Sequence, residues 1–421
     1  MRVISEEELA NQLSSLPVAN PRVIASGNWA APVRALEILE ANLESYRLFV
    51  MNLRYELTAR PTVRFESPFV GAGMRGTDRL DYIPTRLSLI PLLFPISHQP
   101  DVMLLHTSTP RSGKLSLGIE VNILPAALEA ARARGALVVA QINPRMPYTF
   151  GDSEISTDMI DVAIEVDEPM QVAAHHSSDD RKHQIGEYIA GLVPDGATLQ
   201  LGIGAIPDAA VGRLVERRGL KIWSEMISDG VFALEKAGAL DPDQPIVTSF
   251  LAGSEEFYQW LDGNPRVRLC RSETTNDPGK IALNPMMMSI NAALEIDLFA
   301  QANASFVRGR LFSGFGGATD FLVGAIHSPG GRAVIGLPSW HDKSKTSCVV
   351  PLLNVPATSF QHSVVVTDQG CAHIFGHTQR DQARLLIEKA AAPEARDELW
   401  AAAEKLGLAD GQSHVRFEDP K

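Results

Sequence analysis

Cysteine, long apolar runs and basic clusters are all scarce in this sequence. Three of its 421 residues are cysteines, too scattered for a disulfide framework or a CxxC metal motif. Its apolar runs are far shorter than the roughly 20 residues that cross a bilayer. Asp and Glu total 50 against 38 Lys and Arg, so the formal charge is −12, with no basic run. These absences argue against a membrane-spanning protein and a nucleic-acid-binding protein.

The N-terminal segment, like the low number of cysteines, favours a cytoplasmic protein. Residues 1–8 read MRVISEEE, which is acidic where a secretory signal would be basic and then apolar. We therefore expect a soluble cytoplasmic protein with no membrane or nucleic-acid partner. A chain of this length that is 45% apolar is too long for one average domain, which predicts two domains.

Short β-branched or Leu-rich segments alternate with helical patterns along the chain. This alternation is typical of parallel sheets covered by helices on both faces. Strands are predicted at residues 21–25, 101–107, 136–142, 159–166, 198–203, 245–251, 332–336 and 363–367. A helix over 122–134, ended by Gly135, is predicted between two of them. The fold class predicted from these patterns is α/β with mainly parallel sheets.

A polar segment at residues 171–182 separates two α/β series, and we place the domain boundary there. The predicted domains are 1–180 and 181–421. The segment contains His175 and His176, which we interpret as part of a solvated loop because no third metal ligand has useful spacing. We therefore expect no metal site. Residues 379–418 are predicted to be helical.

A glycine-rich turn is the densest local signal. In TLQLGIGAIPDAA, residues 198–210, an apolar strand leads into the turn and then into a helix with Pro207 in its first turn. Such a turn exposes backbone N–H groups and directs a helix N-terminus at an anion or oxyanion. It fails as a dinucleotide fingerprint because Pro207 occupies the third glycine position. A ligand site and a tight strand-to-helix connection both remain open.

Glu225 follows the next predicted strand, residues 220–223. The carboxyl end of a strand is the edge at which open α/β sheets bind ligands. The structural alternative is that Glu225 caps the following turn or pairs with Arg217 or Arg218.

A third motif is the glycine cluster SGFGG at residues 313–317. Its glycines allow a positive φ and a close approach to a ligand. A simple hairpin turn is the alternative.

These three motifs, in this order, resemble the acetyl-CoA hydrolase/transferase family, which includes 4-hydroxybutyrate CoA-transferases. The resemblance extends over nearly the whole chain. It includes FVGAG at 69–73, DYIPTRLS at 81–88, SLG at 116–118, INAALEID at 290–297, VTDQG at 366–370 and QARLLI at 382–387. The segments 199–208 and 224–230 are the most specific.

The resemblance implies two related α/β domains with the active site in the cleft between them. It also implies an enzyme that moves CoA from an acyl-CoA to a small carboxylate. Glu225 matches the family's nucleophile, which forms an acyl-glutamyl anhydride and then a covalent glutamyl-CoA thioester. A carboxylate suits this role because it is ionised at neutral pH. CoA would be a substrate rather than a tightly bound cofactor, and the family makes a homo-oligomer plausible.

The resemblance also assigns contacts to CoA. The residues concerned are Gly202, Ile203, Gly204, Ala205 and Ile206 in the first glycine turn, and Gly316 and Gly317 in the second. Gly316 and Gly317 would help to bind the thioester oxygen. A lysine near a CoA phosphate would be Lys343 or Lys345, and we expect Lys343.

Departures from the family pattern leave the acyl substrate open. Trp223 replaces a histidine of many members. In the N-terminal half, the turn Ser26–Asn28 is expected to line the acyl or carboxylate pocket. Arg75 and Arg111 are candidates for holding a second carboxylate, although solvated surface charge is the favoured interpretation of both. An acyl-CoA hydrolase on the same scaffold is the main alternative function, and a non-catalytic CoA-binding sensor is a weaker one.

Overall fold

Two large, mostly parallel β-sheets form the framework of the protein. The computed structural model describes residues 1–173, 179–202, 204–357 and 361–409. Both histidines of the predicted solvated loop, and Ile203, lie outside these ranges. The α/β class with mainly parallel sheets is confirmed.

The first sheet has eight strands, all parallel, from the N-terminal half of the chain. In spatial order they are Arg2–Val3, Val162–Glu165, Leu137–Ile142, Val102–Thr107, Arg22–Ala25, Tyr46–Phe49, Val63–Ser67 and Leu80–Tyr82. Val102–Thr107 is buried at every residue, as expected of a central strand covered on both faces. The longer helices of this half are Glu6–Ser14, Val33–Asn42 and Leu124–Arg134.

The second sheet has nine strands, and one edge strand is antiparallel. In spatial order they are Gly370–His373, Val364–Thr367, Arg332–Gly336, Met287–Ala292, Thr198–Leu201, Lys221–Trp223, Ile246–Thr248, Val267–Leu269 and Phe150–Gly151. Its main helices are Asp180–Leu192, Ala205–Leu214, Asp229–Lys236, Glu255–Leu261, Ala318–His327, Gln379–Leu385 and Arg396–Lys405.

The two halves are connected through their backbones. Phe150–Gly151, which precedes the predicted domain boundary, pairs with Val267–Leu269 of the second sheet. The N–H of Leu251 donates to the carbonyl of Ile119 at 2.8 Å. The boundary at residues 180 and 181 stays a prediction.

Every predicted strand segment contains a strand, with differences at the ends. The predicted strand 245–251 is two short strands, Ile246–Thr248 and Phe250–Leu251, because the chain leaves the sheet at Ser249. Leu124–Arg134 ends at Gly135, whose φ of 74° is left-handed. Within the described ranges, no helix is long and apolar enough to span a membrane.

Candidate active site

Glu225 lies just beyond the carboxyl end of strand Lys221–Trp223. Its backbone carbonyl accepts hydrogen bonds from the N–H groups of Ser249, at 3.0 Å, and Phe250, at 3.1 Å. The main chain of Glu225 is therefore anchored to the neighbouring segment, and the residue occupies the sheet edge that the sequence predicted.

The side chain of Ser224 connects this edge to the glycine turn. Ser224 is fully buried. Its hydroxyl accepts a hydrogen bond from the N–H of Leu201 at 3.2 Å and donates to the carbonyl of Met226 at 2.6 Å. Because Leu201 directly precedes Gly202, the glycine turn begins at the same edge of the sheet as Glu225.

The carboxyl group of Glu225 is held by an amide. Nδ2 of Asn276 donates to Oε2 at 2.9 Å, and the Thr275 hydroxyl donates to Oδ1 of Asn276 at 2.8 Å. The indole N–H of Trp223 donates to the Thr275 carbonyl at 3.0 Å, which braces this loop. In the part of the chain that the structure describes, no donor reaches Oε1, so that oxygen is available to a substrate.

Gly317 packs directly against the same carboxyl group. A Cβ atom at residue 317 would lie 1.6 Å from Oε2 of Glu225 and 2.1 Å from Nδ2 of Asn276. Only glycine fits this contact. Gly317 also precedes helix Ala318–His327, whose first N–H groups have no partner within the helix. These groups are candidate donors to an oxyanion.

The N-terminal half closes on the rest of the 313–317 loop. A Cβ on Gly314 would lie 2.4 Å from the carbonyl oxygen of Pro68, and one on Gly316 would lie 3.3 Å from the ring of Phe69. The loop connects strand Arg310–Leu311 to a helix, so the hairpin alternative is wrong. The loop lies where the two halves meet.

The environment of Glu225 favours its protonated form. Burial raises the pKa of Glu225 to about 7; the Asn276 hydrogen bond opposes this rise, and the charge of Asp320 adds to it. Asp320 is fully buried, accepts hydrogen bonds from the N–H and hydroxyl of Ser88, and lies 3.5 Å from Arg86. A carboxyl that titrates near neutral pH at a sheet edge is typical of a functional group.

The pairing of Glu225 with a nearby arginine, one of its two structural alternatives, is not observed. Arg217 donates to the carbonyl of Ala190, and Arg218 donates to the carbonyl of Val215. Neither arginine pairs with Glu225.

The first glycine turn presents backbone rather than side chains. Gly204 has a φ of 123°, which favours glycine, and apart from its two chain neighbours no described atom lies within 4 Å of the position that its Cβ would occupy. Ala205 begins helix Ala205–Leu214. The side chain of Ile206 is buried against Gly336, so only its backbone can face a ligand.

Lys343 is exposed in the hairpin formed by strands Trp340–His341 and Thr346–Ser347. This hairpin begins shortly after Gly336, the residue that packs on Ile206. Lys343 therefore lies on the connection that follows a strand beside the glycine turn.

The turn Ser26–Asn28 contacts a carboxylate that the sequence reasoning missed. The N–H of Gly27 and Nδ2 of Asn28 donate to the two carboxyl oxygens of Glu120, at 2.5 and 2.9 Å. Glu120 is 1% exposed. These donors are thus engaged by protein rather than facing an open pocket.

Asn276 and Asp320 were also missed, because nothing in their local sequence distinguishes them. Arg111 forms an ion pair with Asp262 at 3.0 Å and stacks on Tyr148, in line with the surface interpretation. In the described ranges no group of three or more His, Cys, Asp or Glu side chains could hold a metal.

Solved structures with this fold define the class of protein. The chain superimposes on RipA from Yersinia pestis with a TM-score of 0.87 at 28% identity, covering 96% of this chain and all of that one. It superimposes on a 4-hydroxybutyrate CoA-transferase from Porphyromonas gingivalis with a TM-score of 0.79 at 30% identity, covering 96% and 98% of the two chains. The fold is that of the CoA-transferases.

Sequence comparison gives the family. The model of the acetyl-CoA hydrolase/transferase C-terminal domain matches residues 253–403. The chain is 39% identical over 351 residues to a 4-hydroxybutyrate coenzyme A transferase of Clostridium kluyveri. The aligned region covers 80% of this chain and 81% of the relative. An acetyl-CoA hydrolase of Neurospora crassa is 32% identical over 53% of this chain and 43% of the relative. The protein therefore belongs to the acetyl-CoA hydrolase/transferase family and is an enzyme of that type.

Proposed function

We propose that this enzyme transfers CoA from an acyl-CoA to a small carboxylate, with Glu225 as the nucleophile. This proposal rests on one observation, the set of groups that contact the Glu225 carboxyl. Asn276 binds Oε2, Gly317 packs against the group, and Oε1 accepts no hydrogen bond from the described residues. One oxygen is thus oriented while the other is left to attack.

The reaction would proceed through two covalent species. Oε1 attacks the thioester carbonyl, and the thiolate of CoA leaves, which gives an acyl-glutamyl anhydride. The thiolate then attacks the glutamyl carbonyl, the original acid leaves as a carboxylate, and a glutamyl-CoA thioester remains. A second carboxylate reverses both steps and departs as the new acyl-CoA. Each step passes through a tetrahedral oxyanion, which preorganised N–H donors stabilise by on the order of 3 kcal/mol each.

The two glycine segments are suited to those oxyanions. Gly317 brings a helix N-terminus against the reacting carboxyl, and Gly204 exposes open backbone at the end of the neighbouring strand. Lys343 or Lys345 remains our proposal for a CoA phosphate.

Intact-protein and peptide mass spectrometry tests the intermediate. After incubation with acetyl-CoA and reduction by borohydride, the thioester carbon at Glu225 becomes a primary alcohol. The peptide that contains residue 225 then loses one oxygen and gains two hydrogens. The Glu225→Gln variant, which should lose turnover by about 10⁴-fold or more, is the matched control. An active enzyme whose Glu225 peptide keeps its mass would refute the covalent path.

A hydrolase is the second candidate, because relatives in the family carry that name. The nucleophile would be the same, and water would resolve the glutamyl thioester. Thiol release from acetyl-CoA, measured with and without acetate or succinate, separates the two functions. Release that ignores every added carboxylate, with no new acyl-CoA formed, would identify a hydrolase.

A further inference from the structure

Two arginines without acidic partners face one cleft in the N-terminal half. The cleft has a volume of about 470 Å³, and Arg54 and Arg75 are among its lining residues. Across the described ranges neither side chain forms an ion pair, although the protein has a formal charge of −12. Arg79 lines the same cleft, so three arginines and two acids meet there, and the lining is positive although the molecule is negative.

The surroundings offer acids that the pair does not use. Glu56 and Asp78 also line the cleft, yet within the described chain neither brings an oxygen within 4 Å of these guanidinium groups. Arg60, by contrast, forms an ion pair with Glu40 at 2.6 Å. Arg54 and Arg75 therefore form no ion pair with described residues, although two acids line the same cleft.

Both guanidinium groups are oriented by aromatic rings. Arg54 lies 4.4 Å from the ring centroid of Trp29, and Arg75 lies 3.6 Å from that of Phe312. Nε of Arg75 also donates to the Phe312 carbonyl at 2.8 Å. Their remaining N–H groups donate to no described protein atom. Burial lowers the pKa of Arg75, and the positive charge of Arg54 adds to this effect.

The two aromatic residues that contact these arginines lie next in sequence to segments near the active site. Trp29 directly follows the turn whose donors bind Glu120. Phe312 directly precedes the 313–317 loop, whose last residue contacts Glu225. The ring that contacts each arginine therefore lies next in sequence to a segment at the junction of the two halves.

We propose that this cleft binds an oxyanion group, a carboxylate or a phosphate, of a substrate that reacts at Glu225. A pair of guanidinium groups suits this ligand because each offers a planar set of donors that matches carboxylate or phosphate oxygens. The oxyanion has two possible sources, the distal carboxylate of a dicarboxylic acid or a phosphate of CoA. This inference rests on the proposed function.

Steady-state kinetics of Arg54→Gln, Arg75→Gln and the double variant test the proposal. Arg64→Gln, which removes an exposed arginine that pairs with Asp81, is the matched control. Acetate is compared with succinate as acceptor, and acetyl-CoA with acetyl-pantetheine, which lacks every phosphate. Loss of charged hydrogen bonds should raise KM by about 10- to 100-fold for the substrate that carries the oxyanion.

The two substrate comparisons identify which group supplies the oxyanion. A rise confined to succinate assigns the distal carboxylate, and a rise for acetyl-CoA but not acetyl-pantetheine assigns a phosphate. KM values within twofold of the wild type for all four compounds would overturn the proposal. If the wild type lacks both transfer and hydrolysis, the proposed function fails instead, and calorimetric binding of succinate and CoA to wild type and double variant still decides this inference.

Glu120 carries a second, independent inference. Its carboxyl group faces uncharged donors from each element around it: the N–H of Gly27 and the amides of Asn28 and Asn122, the last at 3.2 Å. Burial raises the pKa of Glu120 to about 7. Asn28 and Asn122 both have a positive φ, of 49° and 20°, which is unfavourable for residues with a side chain and persists where the surroundings enforce it.

The same segment is bonded to the chain that anchors Glu225. The N–H of Asn122 donates to the carbonyl of Ser249 at 3.2 Å, and the N–H of Ser249 donates to the carbonyl of Glu225 at 3.0 Å. We infer that Glu120 is a positioning residue that connects the turn at 26–28 to the loop carrying Glu225.

Glu120→Gln tests this role. The NH2 group of glutamine would replace a carboxylate oxygen that accepts hydrogen bonds, and it would then face another hydrogen-bond donor. We expect kcat to fall about tenfold with KM little changed, and the acid limb of log kcat against pH to become shallower, since one titrating group is removed. Glu120→Asp should restore the steeper limb. A variant that folds like the wild type and keeps both its kcat and its pH profile would overturn the inference. If Glu120→Gln fails to fold, the pH profile of Glu120→Asp decides. A shallow acid limb in Glu120→Asp would count against the inference.

Discussion

The α-carbon of Gly317 contacts the carboxyl group of Glu225 so closely that any side chain at residue 317 would overlap it. A Cβ there would lie 1.6 Å from Oε2. The absence of a side chain lets the N-terminus of helix Ala318–His327 approach the carboxyl, so its first N–H groups are candidates for stabilising the charge that would develop in the proposed acyl transfer.

Gly317→Ala should therefore damage activity more than stability. The added methyl displaces the Glu225 carboxyl, so we expect kcat to fall by about 100-fold or more, while overpacking costs about 1–3 kcal/mol of unfolding free energy. Denaturant unfolding and steady-state kinetics measure the two effects. Gly191→Ala is the control, since Gly191 is an exposed helical glycine with open space at its Cβ position, and it should keep full activity. Wild-type kcat in Gly317→Ala would contradict the contact.

Trp223→Phe should weaken the positioning of the Asn276 side-chain amide, which donates to Glu225. The substitution removes the indole N–H that donates to the Thr275 carbonyl, a hydrogen bond worth about 1 kcal/mol, or roughly fivefold in kcat. Combined with Asn276→Ala, it should add little further loss, because both act on the same carboxyl. Trp400→Phe, in the C-terminal apolar cluster, controls for loss of a tryptophan. Fully additive effects would show that Trp223 acts elsewhere.

The pH dependence of kcat/KM should report the ionisation of Glu225. The nucleophile must be ionised, so the rate should rise with pH through an apparent pKa near 7. Asp320→Asn removes a nearby negative charge and should shift the profile to lower pH. Asp243→Asn, at an exposed turn residue, should leave it in place. A profile that does not move in Asp320→Asn would contradict the coupling between the two carboxylates.

The contribution of Glu225 to stability should fall as pH rises from about 5 to 8. The pKa of Glu225 is about 7 in the folded state against its ordinary value of 4.5, so between these values the folded protein holds a proton that the unfolded chain has lost. Ionisation of the buried carboxyl then costs up to about 3 kcal/mol at pH 8. Glu225→Gln should reduce the pH 5 to pH 8 difference in unfolding free energy by about this amount. An equal difference in wild type and variant would refute the raised pKa.

The N-terminal strands show how far local patterns reach. Runs of buried apolar residues predicted Val102–Thr107 and Leu137–Ile142, whereas Tyr46–Phe49 and Val63–Ser67 were missed. Charged residues such as Arg47, Arg64 and Glu66 interrupt those two segments. Their charges are accommodated by tertiary partners, as in the ion pair of Arg22 with Glu66 at 2.7 Å, and no local pattern contains a partner so distant in sequence.

The sequence by itself determined the α/β class, the position of Glu225 beyond a strand end and the two glycine turns, because each depends on hydrophobic periodicity and backbone conformation within a few neighbouring residues. The resemblance of its motifs to a known family singled out Glu225 as the candidate nucleophile. Only the tertiary structure decided which groups surround that carboxyl. Asn276 is 51 residues away in the chain, and Gly317 is further still. These contacts form only when the parallel strands and the loops that follow them are brought to a common edge of the sheet.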